Sequence, residues 1–189
     1  MRTSRLVALA VFVAAGGGVV SAQEKIDNPT YANWAKYKVG ATATLKTTTG
    51  SAAFSSESTM TTKLVERTAE KVVIEITVKS KVGGMEIEIP PMKQEHLKTI
   101  ELPKGAKKEA FTSGKPEGTT KEGTETLKIG GQEVKTKWYE YEVKANGADV
   151  KAKMWTSDEV PGMLVKMESK IGGAVPTDSK MELVEFKKP

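Results

Sequence analysis

The chain has 189 residues, of which 38% are hydrophobic and 28% charged, and its formal charge is +5. It contains no cysteine and a single histidine, which excludes a disulfide framework, thiolate metal sites, a cysteine nucleophile and a histidine-rich metal cluster. The length suits one domain.

Residues 1–22 read as a secretory signal peptide. Arg2 and Arg5 precede an uncharged apolar run over residues 6–20, and Val20-Ser21-Ala22 places small residues at the −3 and −1 positions of a cleavage site. The run is shorter than the ~20 apolar residues of a spanning helix and contains Gly16-Gly17-Gly18. The sequence has no cysteine for lipid attachment, so the expectation is a periplasmic or secreted domain over residues 23–189, not membrane-spanning and monomeric. Cleavage removes two arginines and no acid, lowering the charge from +5 to +3 and leaving Arg67 as the one arginine. Lys and Glu are interspersed, as on a solvated surface. Nucleic-acid binding would want clustered cations with aromatics between them, so it is not expected.

The first element predicted is a short helix. Asn28 suits the N-cap, Pro29 the first turn, and Tyr31, Trp34 and Ala35 fall on one face through Lys38. Beyond it the period is two. Tyr37, Val39, Ala41, Ala43 and Leu45 alternate with polar residues, and threonine-rich residues 42–62 favour strand because branching at Cβ suits the pleat. Val72, Ile74, Ile76 and Val78 continue the rhythm, followed by Met85, Ile87 and Ile89. Residues 103–125, rich in Lys, Glu, Gly and Thr, read as a flexible polar loop with a short strand near Phe111. Tyr139, Tyr141 and Val143, then Val150, Ala152 and Met154, then Met163, Val165 and Met167, and finally Met181 and Leu183 complete the alternation.

Turn chemistry separates these runs. Asn146-Gly147 is a strong hairpin signal. Gly83-Gly84, Gly130-Gly131 and Gly172-Gly173 each follow a strand and read as hairpin tips; a phosphate-cradling loop would need a strand-to-helix exit that they lack. In residues 155–161 a strand ends at Trp155, Ser157 and Asp158 make a turn, and Pro161-Gly162 opens the next strand.

A strand ending in Trp155, a short polar turn with Asp158 and a following Pro161 resembles the late hairpin of the bacterial LolA/LolB-like periplasmic proteins. The early helix with Trp34, leading into a strand toward Leu45, is compatible with the same family. The chain is similar as well to uncharacterised secreted bacterial proteins with this ending. The resemblance implies a half-open antiparallel barrel plugged by helix, with a lipid or acyl chain as ligand. The cysteine that anchors the LolB branch is missing here, so the fold carries over better than lipoprotein trafficking does.

Few residues suggest chemistry. His96 has no nucleophile signature near it, and Glu86/Glu88 and Glu140/Glu142 sit at i and i+2, as on the wet face of a sheet. No enzyme, cofactor or metal is expected. The fold class expected is mainly β: a single strongly curved antiparallel sheet of roughly eight to eleven strands, a half-open meander with one short N-terminal helix over its concave face. An apolar or lipid-like ligand on that face would be lined by Trp34, Met85, Ile87, Met154, Met163, Val165 and Met167, because methionine adapts to irregular apolar shapes. The alternative is a carbohydrate- or envelope-binding module using Trp138 and Trp155 as an aromatic platform, whose rings could equally pack against each other or a lysine stem.

Overall fold

Alternation of branched apolar and polar residues gives strands throughout the computed structural model, which describes residues 24–51, 54–102, 108–145, 148–173 and 175–189. The leader expected over residues 1–22 and the Asn146-Gly147 turn lie outside the described residues. Nine strands form one antiparallel sheet in the order β5-β4-β3-β2-β11-β10-β9-β8-β7. These are β2 (Thr42–Gly50), β3 (Ser55–Arg67), β4 (Lys71–Val82), β5 (Met85–Leu97), β7 (Thr119–Ile129), β8 (Gln132–Ala145), β9 (Ala148–Thr156), β10 (Leu164–Ile171) and β11 (Thr177–Lys187). Two meanders, β2–β5 and β7–β11, are joined where β11 pairs with β2. No pairing joins the edge strands β5 and β7 among the described residues, so the sheet is open. It curls strongly nonetheless: the β7–β8 turn reaches back toward β11, where Gly130 sits beside the Val184 carbonyl. Register shifts in β3 between Leu64 and Glu66, in β10 between Leu164 and Lys166 and in β11 between Leu183 and Glu185 add to the bend.

All three diglycines lie in hairpin connections, of two lengths. Gly83-Gly84 and Gly130-Gly131 are two-residue hairpin loops with positive φ at both positions, a conformation that glycine adopts without strain. Gly172-Gly173 begins the longer connection of the β10–β11 hairpin, closed by Ile171 opposite Thr177. Edge strand β5 carries Pro90-Pro91 opposite a register break in β4, and prolines there remove two donors that would otherwise recruit another strand.

Helix α1 (Pro29–Trp34) starts where the sequence predicts. The Asn28 side chain accepts from the Thr30 and Tyr31 amides at 3.0 and 3.4 Å, satisfying donors that a helix start leaves open. It ends at Trp34, four residues before Lys38, and Tyr37, Val39 and Ala41 lie in the turn ahead of β2 rather than in a strand. Arg67 braces the chain just past the stop. Arg67 donates to the Ala35 and Tyr37 carbonyls at 3.1 and 2.9 Å, taking up acceptors the helix no longer uses.

The polar stretch 103–125 differs from the loop expected. Phe111 lies in a second short helix, α2 (Lys108–Thr112), rather than in a strand, and β7 begins at Thr119. A strand in so hydrophilic a segment is held by cross-strand pairing with β8 and not by burial. A second small sheet pairs β1 (Lys25–Asp27) with β6 (Thr99–Glu101), burying Ile26. The chain from β5 to β7 thus runs through β6 and α2 as a strap from one edge of the main sheet to the other. No helix among the described residues is long and apolar enough to cross a membrane.

Two apolar clusters hold the fold. One joins Ala43, Leu45, Val134, Trp155, Val160, Val165, Leu183 and Phe186. The other joins Trp34 and Tyr37 to Ala41, Leu64, Val72 and Ile74, so α1 packs on β3 and β4. The turn over residues 157–163 fastens the helix to the other half of the sheet. The Asn33 side chain donates to the Val160 carbonyl at 3.2 Å and accepts from the Gly162 amide at 2.7 Å, and the Tyr37 hydroxyl donates to the Asp158 carbonyl at 3.1 Å. Pro161 and Gly162 therefore belong to this turn, and β10 starts only at Leu164. The segment that stands out in the sequence is the buckle between helix and sheet.

Candidate functional site

Residues directly opposite each other in neighbouring strands share a face, so the register sorts the two sides of the sheet. One face carries an unbroken row of Lys121, Glu140, Lys153, Glu168, Lys180, Thr48, Glu57, Lys81 and Glu86, one from each strand. Charges alternate in sign except at Thr48. Contacts along and beside it include Lys153 to Glu140 at 3.4 Å, Lys121 to Glu140 at 3.5 Å and Lys46 to Glu57 at 2.9 Å. Partial desolvation opposes ionisation of Glu140, but the Lys153 and Lys121 ammonium groups outweigh it and hold its carboxyl below the ordinary value. A hollow of about 1020 Å³ runs along this face, floored by Glu140, Lys153, Glu168, Lys180 and Lys46.

The adjacent residues of the same strands make the opposite row: Glu122, Tyr139, Met154, Met167, Met181, Thr47, Ser58, Ser80 and Ile87. The three methionines are half-buried, and the Tyr141 hydroxyl lies 3.9 Å from Met167 Sδ. Of the residues expected to line an apolar site, Met154 and Met167 are direct neighbours, while Ile87 lies at the far end of their row and Met85 in the row beside it. Ile87 and Met85 are 51% and 69% exposed, on the edge strand. Trp34 is buried against the same face through Leu64, Val72 and Ile74. Val165 is fully buried at the β10 bulge. Met163 belongs to the buckle turn and not to a strand; its φ of 65° makes it the one non-glycine residue with positive φ among those described. The apolar set was expected in the hollow of the sheet, yet hollow and methionines lie on opposite faces. α1 and the buckle turn cover the methionine face, while the charged side is open to water around Glu140, Lys153 and Glu168 and closes farther along β8 and β9, where Val134, Thr136 and Trp155 are buried.

Trp138 and Trp155 stand directly opposite each other. The Lys153 ammonium lies 4.0 Å from the Trp138 ring centre and 5.1 Å from that of Trp155, and Lys166 lies 4.7 Å from the latter. The Trp155 indole N–H donates to the Glu125 carboxylate. Trp138 lies over Gly123, where a Cβ would come within 2.6 Å of the ring. Both rings are thus engaged by lysines and strand neighbours. Glu86 and Glu88 lie opposite Lys81 and Lys79 on β4, and Glu142 pairs with Lys151. His96, opposite Val72, has its pKa lowered by burial.

A second cavity, about 780 Å³, was not foreseen from the sequence. It lies where the start of α1, the end of α2 and the buckle turn meet β7 and β8. Its sheet wall comprises Thr124 and Thr126 on β7, opposite Lys137 and Lys135 on β8, with Tyr139 next along. Met163 and Asp158 line the side formed by the turn. Lys135 and Lys137 repeat at i and i+2, a pattern shared with many solvated lysines of this chain, and only the strap passing over them makes the place a cleft.

No protein-family model matches the chain, and none of the curated proteins matches it.

Proposed function

We propose that the protein is an extracytoplasmic, non-enzymatic binding protein for an apolar or lipid-like ligand, held on the methionine face of its open sheet. The observation that carries this reading is the row Tyr139, Met154, Met167 and Met181, contributed by four successive strands, in which Tyr139 is buried and the three methionines are half-buried rather than sealed. Flexible, polarizable side chains side by side make a surface that adapts to an alkyl chain. Export is supported by Arg2, Arg5, the uncharged run over residues 6–20 and the small residues at Val20 and Ala22. The aromatic platform is the weaker reading, because Lys153 already occupies the faces of Trp138 and Trp155 that a sugar or envelope component would stack on.

The test is mass spectrometry of the exported, processed protein, purified without detergent, first under native and then under denaturing conditions. The expected result is a stoichiometric acyl-chain adduct that is released on unfolding and much reduced by Met154→Gln together with Met167→Gln. A bare protein mass, even after incubation with a long-chain fatty acid, would overturn the proposal.

A further inference from the structure

The cleft beneath the strap is continuous in register with the methionine row, since Tyr139 both lines the cleft and stands opposite Met154. Its sheet wall has a distinct chemistry. Lys135 and Lys137 share a face, their Cα atoms about 7 Å apart by strand geometry, and each faces a threonine hydroxyl across the β7–β8 ladder. Both lysines are exposed and form no ion pair among the described residues, in contrast to the charged row on the other side of the sheet. The acids of the cleft are on other walls or already engaged. Asp158 has Lys36 at 3.6 Å, and Glu125 accepts from the Trp155 indole. Glu159 belongs to the turn across the cleft, where its amide donates to the Ser157 hydroxyl. A volume of about 780 Å³ is within the range of small-molecule sites, ~300–1,000 Å³.

We infer that this cleft seats the acidic head group of an amphiphile, with Lys135 and Lys137 as its cationic contacts, Thr124 and Thr126 as hydrogen-bond donors, and Tyr139 leading the alkyl chain onto Met154 and Met167. The inference rests on the apolar-ligand reading above and adds a polarity to it: head under the strap, tail along the methionines. A carboxylate and a phosphate monoester share the required chemistry, two or three acceptor oxygens able to reach both ammonium groups.

The experiment titrates the processed protein with a fluorescent eighteen-carbon polyene carboxylic acid and with the alcohol of the same chain. The acid is expected to bind at least tenfold more tightly. Lys135→Ala with Lys137→Ala is expected to bring the acid down to the level of the alcohol, leaving alcohol binding and the far-ultraviolet circular dichroism unchanged. Equal affinity for acid and alcohol, or acid binding that survives the double substitution, overturns the head-group assignment while the apolar-ligand reading stands. If neither probe binds, both fall together. Inorganic phosphate is expected not to displace the acid; displacement at millimolar concentration would make the seat one for free anions and overturn the amphiphile.

Discussion

On one face of the sheet Lys121, Glu140, Lys153, Glu168 and Lys180 stand side by side across five strands; on the other, Tyr139, Met154, Met167 and Met181 occupy neighbouring positions in four of the same strands. The charged row is long and regular, its side chains ranging from 30% exposed at Lys153 to 72% at Lys121. Exposed ion pairs of this sort contribute little each, typically below ~1 kcal/mol. The apolar face is irregular, but it receives Trp34, the Asn33 bridge and the buckle turn. Regularity of pattern and contribution to stability are therefore opposed here. The row that is easier to read in the sequence as a pattern of alternating charge does the less to hold the fold, and what its face adds to the core comes from Val134 and Trp155 beyond the row.

Three substitutions test that contrast. Trp34→Ala should have the largest effect, because the ring is 2% exposed among Leu64, Val72 and Ile74; removing a buried tryptophan costs about 3–5 kcal/mol, measurable as a lowered midpoint in urea. A loss under 1 kcal/mol would show that the helix contributes no more than the charged row does.

Tyr37 on the same helix–turn junction gives an intermediate effect with a pH signature. Burial, followed by the nearby Asp158 carboxylate, pushes its hydroxyl up to about 12 from the ordinary 10. In the unfolded chain the hydroxyl ionises near pH 10, while in the folded protein it stays protonated to about 12. Its contribution is thus fully present below pH 10 and is lost as pH rises through that window. Tyr37→Phe should cost about 1 kcal/mol at neutral pH, for the hydrogen bond to the Asp158 carbonyl, and should flatten the decline between pH 10 and 12 relative to the parent. Parallel stability curves for the two proteins would contradict this account.

Glu168→Lys should matter least. It would set three lysines in line, since Glu168 lies directly opposite both Lys153 and Lys180. Like charges opposite one another cost ~0.2–1 kcal/mol in a sheet, and the effect should fade in 1 M salt, where the screening length is ~3 Å. A salt-independent loss as large as that of Trp34→Ala would give the charged row the structural role assigned here to the apolar face.

Much of this was legible along the chain. Asn28 and Pro29 mark the helix start because capping and proline geometry are local. Gly83-Gly84 and Gly130-Gly131 mark two-residue hairpins because positive φ is a local demand. Period-two alternation marks the strands, and with them an antiparallel sheet. Local signals failed where distant residues decide the conformation. The helix ends at Trp34, and Arg67, thirty or more residues away, binds the Ala35 and Tyr37 carbonyls of the turn that follows it. Pro161-Gly162 reads as a strand opening, yet Asn33 binds the turn at Gly162 and Val160 and holds it out of the sheet.

The candidate site divides in the same way. The alternation of Met154 and Met167 with lysines already assigned them a common face, because side chains on a strand alternate strictly. That they stand beside each other, with Tyr139 before them and Met181 after, depends on register, which bulges at Leu164/Lys166 and Leu183/Glu185 adjust by single residues. Lys135 and Lys137 are two lysines among many until Thr112, Ser113 and Gly114 at the end of α2 close a cleft with them. Composition and periodicity determined the class of structure, since burial and pleat act on neighbours in sequence. The tertiary structure alone decided which face faces the helix and where a ligand could lie, because those depend on long-range pairing.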